Sequence, residues 1–196
     1  ICGSALILII ALAVLISYLT VRRRNVLNAC IDTLSMVPYI IPGAVVGISL
    51  ILAFNNPVLP LVGTATIMIV SMCIRRIPYT IRSSVAILAQ IPLSIDEAAE
   101  SLGAGKVKTL LKVTLPMMFS GVFAGAVMSW VTLITELSSS LLLYSFRTQT
   151  LNVAVYKAVG NGTDGRACAL ATIVTVFTVI SLLIFNKISK DGEIML

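Results

Sequence analysis

The polar residues of this chain are concentrated in the stretch SIDEAAESLGAGKVKTLLKVTLP, which runs from Ser94 to Pro116. Ser94 and Glu97 stand three residues apart, which is the spacing of a capping box at the start of a helix. The helix dipole favours acidic residues in the first turns, and Gly103 is suited to end the helix. The stretch therefore predicts a helix over Ile95–Leu102, about 12 Å long at 1.5 Å per residue.

This short helix combines negative charge with a flat side, which suits docking against another protein. Its acidic residues are Asp96, Glu97 and Glu100. Ala98 and Ala99 leave room for another surface to approach. A helix lying on the bilayer is the alternative, but anionic lipid repels three acids within eight residues. The following segment, Lys106–Leu115, is amphipathic, and Pro116 is expected to bend the chain after it.

Glu136 is the only acidic residue within the long apolar runs of the chain. An ionisable side chain inside a bilayer is a functional hypothesis, here a residue of a translocation pathway or gate. The hydroxyl residues around it could line a polar path: Thr132, Thr135, Ser138, Ser139 and Ser140. The alternative is that Glu136 meets water at the outer end of its span, and that the hydroxyls bond within their own helix.

The sequence offers no chemistry for catalysis or metal binding. It has no histidine, and its four cysteines are far apart without a CxxC pair. No nucleophile–base pair is visible, and a GxxxxGK[ST] phosphate-binding loop is missing from the sequence. We therefore predict no catalytic residue, no metal ligand and no cofactor in this chain, and we interpret the cysteines as small hydrophobic residues.

The composition is that of an integral membrane protein. Of 196 residues, 58% are hydrophobic and 11% are charged, whereas soluble domains carry about 25% charged residues. The net charge of +6 fits basic loops held on the cytoplasmic side of a membrane. Without an aromatic-interleaved basic patch, nucleic-acid binding is not expected.

Five apolar runs are long enough to cross the hydrocarbon core as helices. They are Ile1–Leu19, Val37–Phe54, Val58–Ile74, Met117–Leu137 and Ala167–Phe185. We therefore predict an all-α, polytopic membrane protein in which residues 1–196 form a single domain. Pro38 and Pro42 should bend the second span, and Gly43 and Gly47 should let another helix approach closely.

Basic residues are distributed unequally between the two sides of the membrane. Five spans place eleven of the fourteen basic residues on the side that holds the 94–116 loop. These are Arg22, Arg23, Arg24, Arg75, Arg76, Arg82, Lys106, Lys108, Lys112, Lys187 and Lys190. The positive-inside rule makes that side the cytoplasm. The loop and the C-terminus are therefore predicted to be cytoplasmic.

The loop resembles the EAA loop of type I ABC importer permeases, the inner-membrane components of binding-protein-dependent transport systems. That pattern is Glu-Ala-Ala, three residues, Gly, nine residues, then Ile-x-Leu-Pro. The matching residues are Glu97, Ala98, Ala99, Gly103, Leu115 and Pro116, with Val113 in place of isoleucine.

The resemblance implies a permease half whose loop couples it to a separate cytoplasmic ATPase, which binds the ATP and Mg. It further implies an extracytoplasmic substrate-binding protein, a second permease half or subunit, and a location in a bacterial inner membrane. Because only one EAA loop is present and the chain starts at Ile1, we expect a fragment or one half of a larger permease. The implied coupling residues are Asp96, Glu97, Ala98, Ala99, Glu100, Gly103, Leu115 and Pro116.

Within this family, three stretches resemble the ferric-iron branch: VPYIIPGAVVGISL, IRSSVAILAQIPLSIDEAAESLGAG and ELSSSLLLYSFRTQTLNVAVYKAV. Ferric iron is therefore the expected substrate, with thiamine, phosphonate, sulfate or polyamine as alternatives. A secondary transporter without an ATPase is an alternative of another class. It predicts charge pairs inside the membrane, and the predicted spans offer Glu136 alone.

Overall fold

The computed structural model describes residues 1–23, 25–57 and 59–193, and every regular element in that part of the chain is a helix. In chain order the helices are α1 (Cys2–Arg22), α2 (Val26–Ile40), α3 (Gly43–Phe54), α4 (Ala65–Leu88), α5 (Leu93–Ser101), α6 (Lys106–Thr109), α7 (Leu115–Met117), α8 (Phe119–Ile134), α9 (Ser140–Leu143), α10 (Leu151–Gly160) and α11 (Asp164–Glu193). A π-helical turn, Leu110–Thr114, joins α6 to α7. The all-α prediction is confirmed. The predictions for Arg24, for Val58 and for the side chain of Lys190 lie outside the described residues.

Two helices are long and apolar enough to cross a membrane unaided: α1, and Asp164–Ile188 within α11. Two bent pairs meet the same criterion jointly, α2 with α3 at 110° and Lys106–Met117 with α8 at 72°. By length and composition, the described residues therefore contain two to four spans, against the five predicted.

The difference in count lies in α4, which replaces the predicted third span, Val58–Ile74. At 24 residues the helix is about 36 Å long, which is enough to cross the membrane. Three arginines give it more charge than an ordinary span: Arg75, Arg76 and Arg82. The sequence predicts a connection for RRIPYTIRSS. In the structure this stretch belongs to α4, which continues through Pro78.

The second predicted span, Val37–Phe54, is broken where the prolines stand. Pro38 lies in the last turn of α2, and Pro42 precedes α3 as its N-cap. The Pro42 carbonyl oxygen accepts the amides of Val45 and Val46 at 3.0 and 3.2 Å, which starts α3 in its new direction. The predicted bend is confirmed, and it separates two helices rather than kinking one.

The connection predicted between the fourth and fifth spans also differs from the structure. It contains two further helices, α9 and α10, and α11 begins at Asp164 rather than Ala167. Thr150 caps α10, its hydroxyl accepting the amide of Val153 at 3.4 Å. These helices pack the connection against the bundle instead of leaving it exposed as a loop.

Helix α4 lies at the centre of the bundle, between α1 and α8. The side of α1 that is buried is a stripe at four-residue intervals: Ala5, Ile9, Ala13 and Ser17, each 0% exposed. Three of these four side chains are small, so the backbones of α1 and α4 can approach closely. The α1 stripe thus fixes the position of α4 on one side.

On its other side, α4 meets a second stripe of small residues along α8: Gly121, Gly125 and Ser129. The Ser83 hydroxyl donates to the Gly121 carbonyl at 2.6 Å, and the Thr80 and Ser129 hydroxyls are 2.9 Å apart. Interhelical hydrogen bonds of this kind are available where small residues bring two backbones together.

Gly125→Ala is expected to lower the free energy of unfolding by about 1–3 kcal/mol, the usual effect of overpacking. A β-carbon at this position would lie 2.7 Å from the Thr80 Cα, a backbone atom that cannot move without shifting α4. The measurement is denaturant unfolding in detergent micelles. Gly165→Ala is the control, since nothing lies within 4 Å of its added β-carbon. Equal unfolding midpoints for the two variants would contradict the close α4–α8 packing.

Candidate functional site

Helix α5, in the predicted coupling loop, starts earlier than the sequence predicts. It begins at Leu93 with Pro92 as N-cap, and no side chain caps it. Ser94 therefore lies inside the first turn, and the predicted capping box with Glu97 is wrong. Proline has a backbone dihedral suited to helix entry, so Pro92, with φ −59°, starts the helix before the serine can cap it.

The end of α5 is as predicted. Gly103 has φ +85°, a conformation that favours glycine. Its amide donates to the Glu100 carbonyl at 2.9 Å, and the Ala104 amide donates to the Ala99 carbonyl at 3.0 Å. This pair of bonds is the Schellman motif. Gly103 therefore terminates the helix and turns the chain toward α6.

The acidic residues of α5 divide between two faces. Glu97 and Glu100 are exposed, as is Ala98. Asp96 is only 5% exposed and faces its own chain, while Ala99 is half-buried. Glu97, Ala98 and Glu100 therefore form an exposed face of α5, the helix for which the sequence predicts docking. Asp96, predicted with them as a coupling residue, is not part of that surface.

Asp96 joins α5 to two other parts of the chain. Its Oδ2 lies 2.7 Å from the Arg22 Nε at the end of α1, and its Oδ1 accepts the Thr114 hydroxyl at 2.8 Å. The Arg22 Nη1 also donates to the Ile91 carbonyl at 2.9 Å, just before α5. Both side chains of the ion pair are 7% exposed, so water competes little for it.

The segment that returns from the loop to the membrane ends in a bend. Leu115 is half-buried and Pro116 exposed, both within α7. The chain turns by 72° at Met118, whose amide donates to the Thr114 carbonyl at 3.0 Å. The bend expected at Pro116 is therefore present, two residues later. The three loop lysines, Lys106, Lys108 and Lys112, are exposed.

Glu136 is the centre of a buried charge cluster. It is 3% exposed, and its carboxylate forms ion pairs with Arg75, at 2.5 Å, and with Arg76. The Ser139 amide and hydroxyl also contact its Oε1 at 3.1 and 3.2 Å. The alternative, in which Glu136 meets water at the outer end of its span, is wrong, because Arg75 and Arg76 of α4 enclose the carboxylate.

The cluster carries two positive charges and one negative charge at the bend between α2 and α3. A β-carbon on Gly43 would lie 2.5 Å from the Arg75 Nη1 and 2.8 Å from the Ser138 Cβ. One on Gly47 would lie 3.0 Å from a methyl of Leu142. The close approach predicted for both glycines is confirmed, and their neighbours are Arg75 of α4 and the 138–142 segment.

The structure brings only one of the predicted pathway hydroxyls to Glu136. Ser139 contacts the carboxylate, whereas Thr132 donates to the carbonyls of Met128 and Ser129, both at 3.0 Å. Thr135, the C-cap of α8, is exposed and donates to the Val131 carbonyl of the same helix. Thr132 and Thr135 thus follow the alternative, bonding within α8.

The basic partners of Asp96 and Glu136 could not be identified from the sequence pattern. The order of the predicted spans and the positive-inside rule together place Arg22, Arg75 and Arg76 in cytoplasmic connections, and nothing in the sequence pattern points to Thr114. A signal was present for α4: Thr64 can cap a helix, and the run from Ala65 keeps its apolar periodicity beyond the arginines.

Within the described residues, no group of three or more potential metal ligands occurs. The four cysteines are free. Cys73 is buried in the α1–α4 interface, where its thiol lies 3.4 Å from the Ala5 carbonyl.

A family model for the binding-protein-dependent transport system inner membrane component matches residues 4–191. The ferric transport system permease protein FbpB of Actinobacillus pleuropneumoniae is 31% identical over 192 residues, covering 98% of this chain and 28% of the relative. The putative ferric transport system permease protein FbpB 1 of Haemophilus influenzae is 35% identical over 146 residues, which cover 74% of this chain and 23% of that relative. The chain thus spans about a quarter of the length of these relatives.

Solved structures share the fold. An inward-facing form of the MetNI methionine ABC transporter matches with a TM-score of 0.75 at 18% identity, over 97% of this chain and 89% of that one. A bacterial ABC transporter involved in the import of alginate matches with a TM-score of 0.77 at 16% identity. The match covers 97% of this chain and 75% of that one. The helix arrangement is that of ABC importer permeases. Sequence and fold agree that this chain belongs to the family of binding-protein-dependent transport system inner membrane components.

Proposed function

We propose that this chain forms half of the translocation unit of an ATP-driven importer in a bacterial inner membrane. A cytoplasmic ATPase subunit docks on α5, a second permease half completes the path, and an extracytoplasmic protein delivers the substrate. This chain hydrolyses nothing itself. The observation that carries the proposal is the exposed Glu97–Ala98–Glu100 face on a helix held from behind by the buried Asp96–Arg22 pair.

The contacts of α11 support a cytoplasmic C-terminus. Phe123, early in α8, packs edge to face on Phe185, late in α11, with ring centroids 5.7 Å apart. Helix α8 starts on the side of the membrane where α5 lies, so the end of α11 lies on that side too. Basic residues there favour the cytoplasm.

Ferric iron is the substrate that we propose. Its support is the ferric transport role named for two relatives at 31 and 35% identity. Other relatives are named for molybdate/tungstate, in Pyrococcus abyssi, and for 2-aminoethylphosphonate, in Salmonella typhimurium, at 29 and 28% identity. An oxyanion importer is therefore the alternative substrate class.

A secondary transporter, driven by an ion gradient instead of an ATPase, is the less favoured function. Its expected signature was a charge pair inside the membrane, and the Arg75–Glu136–Arg76 cluster supplies one. The charges inside the membrane therefore do not count against a secondary transporter. What favours the ATP-driven importer is the family match over residues 4–191, together with the exposed face of α5.

The test is to tag the full-length native protein, purify it gently from its own membranes and identify its partners by mass spectrometry. We expect a stoichiometric P-loop ATPase, cross-linked through Ala98→Cys but not through Asn161→Cys, an exposed control on another helix connection. Proteoliposomes containing the complex should accumulate radioactive iron only when ATP reaches the ATPase. Iron uptake driven by an ion gradient without ATP would favour the secondary transporter.

A further inference from the structure

We propose that Arg22 is a positioning residue that transmits the movement of α5 directly to α1, through Asp96. This inference rests on the proposed function, because it concerns how a docked ATPase moves the membrane helices. A single carboxylate connects three segments that are distant in sequence. Its two oxygens contact different partners, Arg22 at the end of α1 and Thr114 in the π-helical turn before α8.

The guanidinium of Arg22 holds the start of α5 at two points. Its Nε is 2.7 Å from Asp96 Oδ2, and its Nη1 donates to the Ile91 carbonyl at 2.9 Å. The planar fork of arginine suits such paired contacts, which a lysine ammonium cannot reproduce. Ile91 and Asp96 thus move with the end of α1 as one unit.

Apolar packing follows the same path as the ion pair. Leu88, Ile91, Met118 and Val122 form a buried cluster against which Ile95 of α5 packs. Tyr18 and Val21, on the last turns of α1, pack on this cluster as well. The inner face of α5 is thus held by α1 and α8, whereas the Glu97 face is open. A force on the outer face therefore reaches α1 without passing along the chain.

The contact with Thr114 connects the Asp96 carboxylate to the segment that leads into α8. Thr114 is 0% exposed and ends the π-helical turn that leads into α7 and the 72° bend before α8. Single π-helical turns occur often at functional positions in helices. Asp96 is thus placed to move α1 and the base of α8 together, so that both helices follow the ATPase in one step.

A buried pair that only stabilises the fold would give the same contacts, so the test needs a readout that stability alone does not change. That readout is the number of ATP molecules hydrolysed per substrate transported. It is measured in proteoliposomes containing the full-length chain, its ATPase and its binding protein. The variants are Arg22→Gln, Arg22→Lys and Thr114→Val. Arg23→Gln is the control, since Arg23 is the adjacent basic residue and is exposed.

We expect Arg22→Gln to raise this ratio about fivefold or more, the lower range of allosteric coupling, with ATPase association retained. Arg22→Lys and Thr114→Val should give smaller rises, and Arg23→Gln none. Exchanging the partners, Arg22→Asp with Asp96→Arg, should lower the ratio again relative to Arg22→Gln.

ATPase association is measured first, which separates the two claims. If the unaltered full-length chain binds no ATPase, the proposed function fails. If the ATPase binds and Arg22→Gln leaves the ratio unchanged, the transmission role of Arg22 is overturned while the proposed function stands. Should Arg22→Gln not fold, an unchanged ratio in both Arg22→Lys and Thr114→Val overturns it equally.

Discussion

Replacing Glu136 with glutamine is expected to lower the free energy of unfolding by about 3 kcal/mol or more, the usual effect of breaking a buried ion pair by removing one partner. The change keeps the shape of the side chain and removes its charge. Arg75 and Arg76 would then remain beside each other without an acidic partner, with side chains only 14 and 16% exposed. In a membrane protein, no water is at hand in the hydrocarbon region to replace the lost partner.

The measurement is equilibrium unfolding in mixed micelles, followed by the fluorescence of Trp130, the one tryptophan in the sequence. Trp130 packs near Phe177 and Phe185 of α11, with centroids 6.4 and 6.1 Å away, so its emission reports on the α8–α11 packing. A cooperative transition shifted to lower denaturant supports the prediction.

Asp32→Asn is the matched control for Glu136→Gln. It also removes an acid paired with an arginine, Arg82 at 3.3 Å, but those side chains are 22 and 51% exposed. Exposed pairs contribute about 1 kcal/mol or less. If the two variants lose the same free energy of unfolding, the Glu136 ion pairs contribute no more than an exposed pair does. The buried cluster then does not hold α4 to the α8–α9 connection.

The same variant also tests the predicted pathway role. The Glu136 carboxylate pairs with Arg75 and Arg76 of α4 and is hydrogen-bonded by Ser139, and none of these contacts involves α5. We therefore expect Glu136→Gln to reduce substrate uptake by the full transporter while leaving ATPase association unchanged. Unaltered uptake per folded molecule would mean that the cluster has a structural role alone.

Several features that depend on neighbouring residues could be predicted from the sequence, although the Ser94–Glu97 capping box was not among them. Gly103 ends α5 because a glycine adopts the positive φ of a helix end at little energetic cost. Pro38 and Pro42 separate α2 from α3 because proline restricts the backbone locally. The small residues Gly43 and Gly47 mark a close approach, although the sequence could not say which segment approaches.

Features that depend on distant partners could not be predicted. The charges of Arg75 and Arg76 suggested a cytoplasmic connection, because nothing nearby in the sequence shows that Glu136 neutralises one of them. For the same reason, the sequence pattern does not distinguish Asp96 from Glu97, and both are predicted as coupling residues. Their different roles depend on Arg22, which comes from α1 and covers Asp96 alone.

Replacing Glu97 with lysine is expected to reduce the affinity of the ATPase for the permease at least tenfold, about 1.4 kcal/mol. Glu97 is exposed on the free face of α5, next to Ala98. A reversed charge at a docking surface acts against the complementarity that brings two proteins together. Because Glu97 is exposed, the unfolding transition should not move.

The affinity is measured by titrating the purified ATPase onto the full-length permease in nanodiscs at two salt concentrations. The defect should shrink at high salt, which screens exposed charges. Asp164→Lys is the control, because it makes the same change at an exposed residue at the start of α11. Wild-type affinity in Glu97→Lys, or an equal loss in Asp164→Lys, would show that the Glu97 face of α5 is not where the ATPase docks.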